Sequence, residues 1–178
     1  MKIIQKPLAG EYAPYAIMYI DLVPDDGLLL QHLQDNLEAL ERLVAGLSDA
    51  QLSTPCAAGE WTIKEILVHI IDTERMFAYR ALRFARNDAT ALASFEQDDY
   101  VANSGANARG IDDILAELRA VRAASIALFN SLSEEAWTRS GLASGHRLSV
   151  RAAAYQVAGH EQHHVKSIKE NYLSQQES

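Results

Sequence analysis

Cysteine, basic residues and long apolar runs are all scarce in this sequence. Its one cysteine, Cys56, can form neither an internal disulfide nor a cysteine-based metal cluster, so we expect a reducing compartment, the cytoplasm. The 16 Lys and Arg residues are outnumbered by 24 Asp and Glu residues, and the net charge of −8 repels nucleic-acid phosphates. No run approaches the roughly 18 apolar residues of a membrane span. These shortages argue against nucleic-acid and membrane partners.

The pattern of apolar residues predicts helices. The spacing of three and four that is typical of amphipathic helices covers about residues 26–47, 62–85, 111–132 and 149–173. The length of 178 residues suits a single domain, 1–178, in which residues 1–25 form an arm over the helices and residues 87–110 a long loop. No segment shows convincing strand alternation. The predicted fold class is therefore all-α, a four-helix bundle.

Three of the six histidines lie within five residues of the fourth predicted helix. Residues four apart on a helix differ by about 40° around its axis, so His160 and His164 can bind one ion together. His163 points elsewhere and is expected to face solvent. His69, at the margin of the apolar face of the second helix, is the best candidate for a third ligand. The alternative is a polar helix face rich in histidine and a His69 that is satisfied in the core.

Three neutral imidazoles suit a divalent transition metal such as Zn, Ni, Fe or Mn. Because three protein ligands leave positions open for water or substrate, the set is typical of a catalytic rather than a structural site. His160, Glu161 and His164 also match the zinc-protease string H-E-x-x-H. That match is weak as a function, because no strand is predicted that would align a peptide.

Two glutamates fall inside apolar helix faces. Glu161 lies near the centre of the apolar face of the fourth helix and Glu74 within that of the second, where an unpaired carboxylate is costly. Each is a candidate catalytic proton carrier or a partner that orients an imidazole. Each could equally be an acid paired for structure, and the arginines near Glu74 in sequence are Arg75, Arg80 and Arg83.

Three further features carry weaker expectations. Residues 95–103 are aromatic and acidic; they could roof a pocket, although a self-packed surface loop is slightly favoured. Trp61 is expected to pack as an anchor just before the second helix. His32 and His146 have no neighbour at ligand spacing, and we expect both at the surface.

Two segments resemble a known family. Residues 60–86, from Glu60-Trp-Thr-Ile-Lys-Glu to Phe-Ala-Arg86, look like the second helix of the DinB-like family, and Ala158-Gly-His160-Glu-Gln-His-His164 looks like its fourth. Residues 11–15 and 95–100 are similar to other family segments. The resemblance implies a four-helix bundle of up-down-down-up topology, a homodimer, and a metal held by His69, His160 and His164.

The same resemblance implies a metal-dependent enzyme that acts on a small molecule. The expected function is a thiol-dependent S-transferase that uses a low-molecular-weight thiol on small electrophiles, or a metal-dependent hydrolase in which Glu161 or Glu74 carries the proton. The alternative is a non-catalytic metal-binding protein or a dimeric interaction module.

Overall fold

The computed structural model describes residues 2–174, which form a helical bundle with one small β-hairpin. In chain order the elements are α1 (Ile17–Ile20), α2 (Leu29–Val44), α3 (Asp49–Ser53), α4 (Ile63–Ala85), α5 (Gln97–Ala102), α6 (Ile111–Ser131), α7 (Glu134–Thr138), β1 (Ser140–Ala143), β2 (His146–Ser149) and α8 (Val150–Ile168). A π-helical segment, Lys169–Leu173, continues α8. The prediction of an all-α four-helix bundle, formed by α2, α4, α6 and α8, is confirmed.

The starts of these helices follow local capping chemistry. Thr62 and Glu65 form a capping box at the start of α4: the Thr62 hydroxyl accepts from the Glu65 N–H at 3.1 Å, and the Glu65 carboxylate accepts from the Thr62 N–H at 2.7 Å. The expected start of the first long helix was three residues too early. Gly27 has a φ of 77°, a left-handed conformation that interrupts a helix, so α2 begins at Leu29.

Side-chain contacts fix the direction of each long helix. Glu41, near the end of α2, pairs with Arg119 in the first half of α6, so these helices run antiparallel. The start of α4 meets the start of α6, where Asn107 donates to Glu65 at 3.0 Å, so these two run parallel. Phe84, at the end of α4, lies against Gly141 just before α8, so α4 and α8 are antiparallel. The order is up, down, down, up, as the resemblance implied.

The hairpin corrects the expectation that the chain has no strand. β1 and β2 pair antiparallel from Ser140 opposite Ser149 to Ala143 opposite His146. Ser144 and Gly145 join them with φ of 52° and 77°, the two left-handed residues of a tight hairpin turn. Strands of four residues are too short to show alternation, which explains why the sequence pattern missed them.

The apolar core is divided into two clusters, and each of the four long helices contributes to both. The cluster near the hairpin contains Leu29, Leu33, Phe84, Phe129 and Ala154; the other contains Leu37, Ile66, Ile71, Leu118 and Ile168. The break falls at the same level on all four helices. Buried polar residues occupy that level, so the division places the candidate functional groups at mid-bundle. No helix within residues 2–174 is both long enough and apolar enough to cross a membrane.

Candidate metal centre

Three histidines converge where α4 meets α8. The Nε2 atom of His160 lies 3.0 Å from that of His69 and 3.1 Å from that of His164. One ligand atom from each residue lies within 4.8 Å of the others. A transition ion bonded at about 2.0–2.1 Å to each nitrogen would hold neighbouring nitrogens roughly 3.3 Å apart. The donor set therefore fits a divalent transition metal, and the two pairs that share His160 are close to this spacing.

The histidine rings are held in the neutral form that a metal ion requires. Burial lowers the pKa of His69 to about 4, an effect partly offset by the negative charge of Asp98. Burial also lowers the pKa of His164 to about 3, assisted by the neighbouring histidines. His160, only 6% exposed, has a pKa well below its usual value for the same reasons. All three rings are neutral at pH 7, so each offers a lone pair.

The two candidate proton carriers lie in a separate charged cluster. Arg122, on α6, donates from Nε to Glu74 at 3.0 Å, and from Nη2 to Glu74 and to Glu161 at 2.9 Å each. Its Nη1 donates to the Leu33 carbonyl. All three charged side chains are at most 2% exposed. This is the arrangement of acids paired for structure, and a catalytic role for Glu74 and Glu161 stays a prediction.

The electrostatics of this cluster reflect deep burial. Burial alone would lower the pKa of Arg122, but the charges of Glu161 and Glu74 outweigh it and raise that pKa above its usual value. Burial raises the pKa of Glu161 to about 7, against the opposing effect of Arg122. Arg122 was not among the expected partners because a sequence gives no distance across a bundle. Asp72, on the same helix, instead contacts Arg75 at 3.5 Å.

A pocket of about 350 Å³ opens beside His69 and His160. Its other walls come from the N-terminal arm, the hairpin turn and residues 94–98. Residues 95–103 were expected, on balance, to pack only on themselves. Phe95 and Tyr100 do contact each other, with ring centroids 5.1 Å apart, but Phe95 and Asp98 also line this pocket. The histidine site is therefore open to a small molecule.

The sequence from residue 32 to residue 168 matches the model of the DinB superfamily. The chain belongs to this superfamily. Two proteins similar in sequence are each named a "Putative metal-dependent hydrolase". The one from Geobacillus thermodenitrificans is 28% identical over 74% of this chain and 75% of its own, and the one from Geobacillus kaustophilus is 28% identical over 72% and 74%. The family and the three histidines together support a divalent metal without naming it.

Two solved structures have similar folds. YfiT from Bacillus subtilis, described as "a probable metal-dependent hydrolase with an unusual four-helix bundle topology", superposes with a TM-score of 0.76 at 17% identity, over 93% of this chain and 91% of its own. A mycothiol-dependent maleylpyruvate isomerase superposes with a TM-score of 0.64 at 12% identity. That match covers 78% of this chain and 58% of the isomerase. At these identities the likeness is one of fold.

Two aromatic residues, Trp61 and Tyr19, pack against the three histidines, and the sequence analysis did not predict these contacts. The Trp61 ring, besides preceding α4, lies 4.8 Å from the His69 ring and stacks on His164 at 6.4 Å. The Tyr19 ring meets His160 edge-on at 5.4 Å. A Cβ at Gly159 would lie 2.0 Å from the Tyr19 carbonyl oxygen, so glycine lets α1 approach α8. Gly159, directly before His160, is the feature of the sequence that could have indicated this close contact.

The other histidines lie outside the convergent group. His163 is half-buried rather than solvent-facing, because its ring packs edge-on against Tyr19 and His164 at 5.4 and 5.3 Å. His32, also expected at the surface, is half-buried and contacts Asp26 at 2.9 Å near the start of α2. His146 is exposed on the hairpin, as expected.

Proposed function

We propose that this protein is a metal-dependent S-transferase. It holds one divalent transition ion, Zn, Ni, Fe or Mn, through His69, His160 and His164, and joins a low-molecular-weight thiol to a small electrophile in the adjoining pocket. The observation that carries the proposal is the convergence of three neutral imidazoles, two of which, His69 and His160, are buried and line a pocket.

Three protein ligands leave coordination positions free, and here the site borders space for a small molecule. An ion held by these residues would supply Lewis-acid chemistry, lowering the pKa of a water or thiol beside it. The protein's own contribution is to keep the imidazoles neutral by burial and to fix their rings between Trp61 and Tyr19. A site that served structure alone would have no need of the pocket.

The position of the carboxylates favours thiol transfer over hydrolysis. Glu74 and Glu161 are engaged by Arg122 rather than aimed between the histidines. A thiol that has lost its proton is already a strong nucleophile and requires no further base for its attack. Thiol transfer therefore demands the least from the side chains that line the pocket.

Hydrolysis of a small ester or amide is the second candidate, and Asp98 favours it. Asp98 lines the pocket with His69 and His160, and its charge raises the pKa of His69 against the effect of burial. It would be better placed than Glu74 or Glu161 to accept a proton from an attacking water. The names of the relatives from Geobacillus agree with this second candidate.

The proposal extends to compartment and assembly. A free-thiol cosubstrate requires a reducing compartment, so we place the enzyme in the cytoplasm. We also propose a homodimer. Its support is an apolar groove between α4 and α6 that is lined by Leu82, Val121 and Leu128, in which Leu82 is 37% exposed.

Elemental analysis of the purified protein, prepared without a metal-binding tag, tests the site. We expect about one equivalent of a transition metal in the parent and none in a His69→Ala/His164→Ala variant. Free thiol should then be consumed with a chlorinated aromatic electrophile. Turnover of esters or amides without thiol would favour the hydrolase. If the parent bound no metal even after Zn²⁺, Ni²⁺ or Mn²⁺ was added, the enzyme proposal would be refuted and the non-catalytic interaction module would be favoured.

A further inference from the structure

Arg80 is a buried cation in the wall of the histidine pocket. It is 6% exposed and lies on α4, eleven residues after His69. Eleven residues return a helix to within about 20° of the same face, roughly 16 Å along the axis. Both side chains line the pocket, so the pocket extends along one face of α4. The histidines lie at one end and Arg80 at the other.

The guanidinium of Arg80 is only partly satisfied. Its Nη2 donates to the Ala93 carbonyl at 3.1 Å and to the Ser144 hydroxyl at 2.9 Å. Its Nε is buried and has no hydrogen-bond partner in residues 2–174. No carboxylate in that part of the chain lies within 4.0 Å of it. A buried charge without a counter-ion is costly, and a protein retains one mainly where something else supplies the partner.

Two aromatic rings fix the orientation of this cation. The Arg80 Cζ lies 5.7 Å from the Phe77 ring centroid and 5.9 Å from that of Phe95. Burial lowers the pKa of Arg80, yet an arginine keeps its proton at any physiological pH. The pocket therefore presents a planar, permanently charged donor in a defined position.

A second unsatisfied polar atom lies between the two ends. The Thr73 hydroxyl, one turn after His69, is buried and has no hydrogen-bond partner in the described chain. Gln156, one turn before His160 on α8, is also buried and lines the same space. An occupant that reached from the histidines toward Arg80 would pass these groups, which can hydrogen-bond to it.

We propose that Arg80 binds a carboxylate of the small molecule whose reacting end lies at the three histidines. The inference rests on the proposed function, since it assigns a substrate class to the same pocket: thiols that also carry a carboxylate group. The Arg80 Nη2 already donates both of its hydrogens, to Ala93 and Ser144, so a carboxylate would accept charge-assisted hydrogen bonds from the remaining donors of the guanidinium, Nη1 and the unpartnered Nε. Arg80 is thus a specificity-determining residue.

Two acidic residues also line the pocket and must be weighed. Glu96 and Asp98 are both exposed, so solvent screens their charges, whereas Arg80 is buried and its charge is screened much less. The competing explanation is that Arg80 only ties the hairpin turn to α4 through Ser144. That role would affect stability without affecting the choice between charged and neutral ligands.

The test compares matched thiols on the full-length protein loaded with Co²⁺. The probes are ω-mercaptocarboxylates with two to four methylenes, each paired with its methyl ester, and their binding is followed by the visible Co²⁺ spectrum. We expect the best acid to bind about 10- to 100-fold more tightly than its ester, the range of a charge-assisted hydrogen-bonded pair. Arg80→Met should abolish this preference and leave ester binding unchanged.

Two further variants separate recognition from folding. Arg80→Lys keeps the charge and should lose most of the preference, because a lysine ammonium does not place donors where the guanidinium Nη1 and Nε lie. Arg86→Met removes an exposed arginine just beyond the same helix and should change nothing. Circular dichroism checks the fold of each. Equal binding of acid and ester by the parent, or a preference that survives in both Arg80 variants, would overturn the inference.

Metal-free protein distinguishes this inference from the proposed function. Calorimetric titration with the same pairs should retain the preference for the acid, because the Arg80 contact needs no metal. If the esters perturb the Co²⁺ spectrum but the acids bind no more tightly than the esters, thiol binding at the metal is supported and the proposed role of Arg80 is refuted. If only metal-free binding favours the acid, Arg80 is upheld and thiol binding at the metal is refuted. No binding in either form refutes both.

Discussion

Arg122 and Arg80 are the two buried arginines of residues 2–174, and their guanidinium groups have different partners. Arg122 is enclosed by Glu74 and Glu161, and its guanidinium also donates to a backbone carbonyl. Arg80 has two neutral acceptors and no acid, and it lines a pocket. The charge of Arg122 is therefore neutralised within the fold, whereas the charge of Arg80 has no counter-ion among the described residues.

The same two helices build both kinds of site. His160 and Glu161 are neighbours on α8, about 100° apart around its axis, so one reaches the open histidine site and the other the closed charged cluster. On α4, His69 and Arg80 border the pocket while Glu74 faces Arg122. The position of a residue around the helix thus decides whether its polarity serves binding or packing.

The largest expected effect is a loss of metal binding at the histidine site. His160→Ala removes the nitrogen shared by both short contacts, and we expect metal affinity to fall by more than about 100-fold in a competitive titration. His163→Ala, three residues along the same helix, is the matched control and should retain the metal. Loss of metal from the control but not from His160→Ala would show that the ligands have been misassigned.

The closed cluster should matter most for stability. Arg122→Met leaves two buried carboxylates without their cation, and we expect the free energy of unfolding in urea to fall by about 3–5 kcal/mol. Replacing Glu74 and Glu161 by leucine in the same chain should recover most of that loss, since a well-packed apolar set can substitute for a buried ion pair. A fall of less than about 1 kcal/mol in Arg122→Met would break the comparison between the two arginines.

These differences mark how far the sequence alone could be interpreted. Helical spacing placed the four long helices, and the interval between His160 and His164 identified the pair that converges. Contacts across the bundle were invisible, because Arg122 is 39 residues from Glu161 and 48 from Glu74. The pocket was equally hidden, since the arm, the hairpin turn and residues 94–98 meet only in the folded chain.

A smaller effect is expected where the open site depends on close packing. Gly159→Ala would bring a Cβ to within 2.0 Å of the Tyr19 carbonyl, which must shift α1 away from α8. We expect a loss of about 1–3 kcal/mol in urea unfolding, together with weaker metal binding as Tyr19 moves from His160. Gly110→Ala, with no atom within 4 Å of its Cβ position, is the control for glycine replacement. Equal losses in both variants would mean that the contact with Tyr19 contributes nothing.

The partly exposed ion pair between Arg151 and Glu11 should contribute less to stability than the buried groups. Arg151 donates from Nε to Glu11 at 2.8 Å, and Ser149 donates to the same carboxylate at 2.7 Å, which ties the arm to the start of α8. Because this pair is not fully removed from water, Glu11→Gln should cost only about 0.5–1 kcal/mol at pH 7.

The pH dependence of that small contribution has a definite sign. Burial alone would raise the pKa of Glu11, but the hydrogen bonds from Arg151 and Ser149 outweigh it and hold the pKa below its usual value. A lowered pKa stabilises the fold above the unfolded value near 4.3, and this stabilisation is lost as the pH falls through the folded pKa. Urea unfolding of the parent and of Glu11→Gln should therefore differ at pH 7 and converge as the pH falls through the lowered pKa of Glu11. A difference that persisted in acid would show that Glu11 acts through packing rather than through its charge, and the contrast between exposed and buried pairs would need another cause.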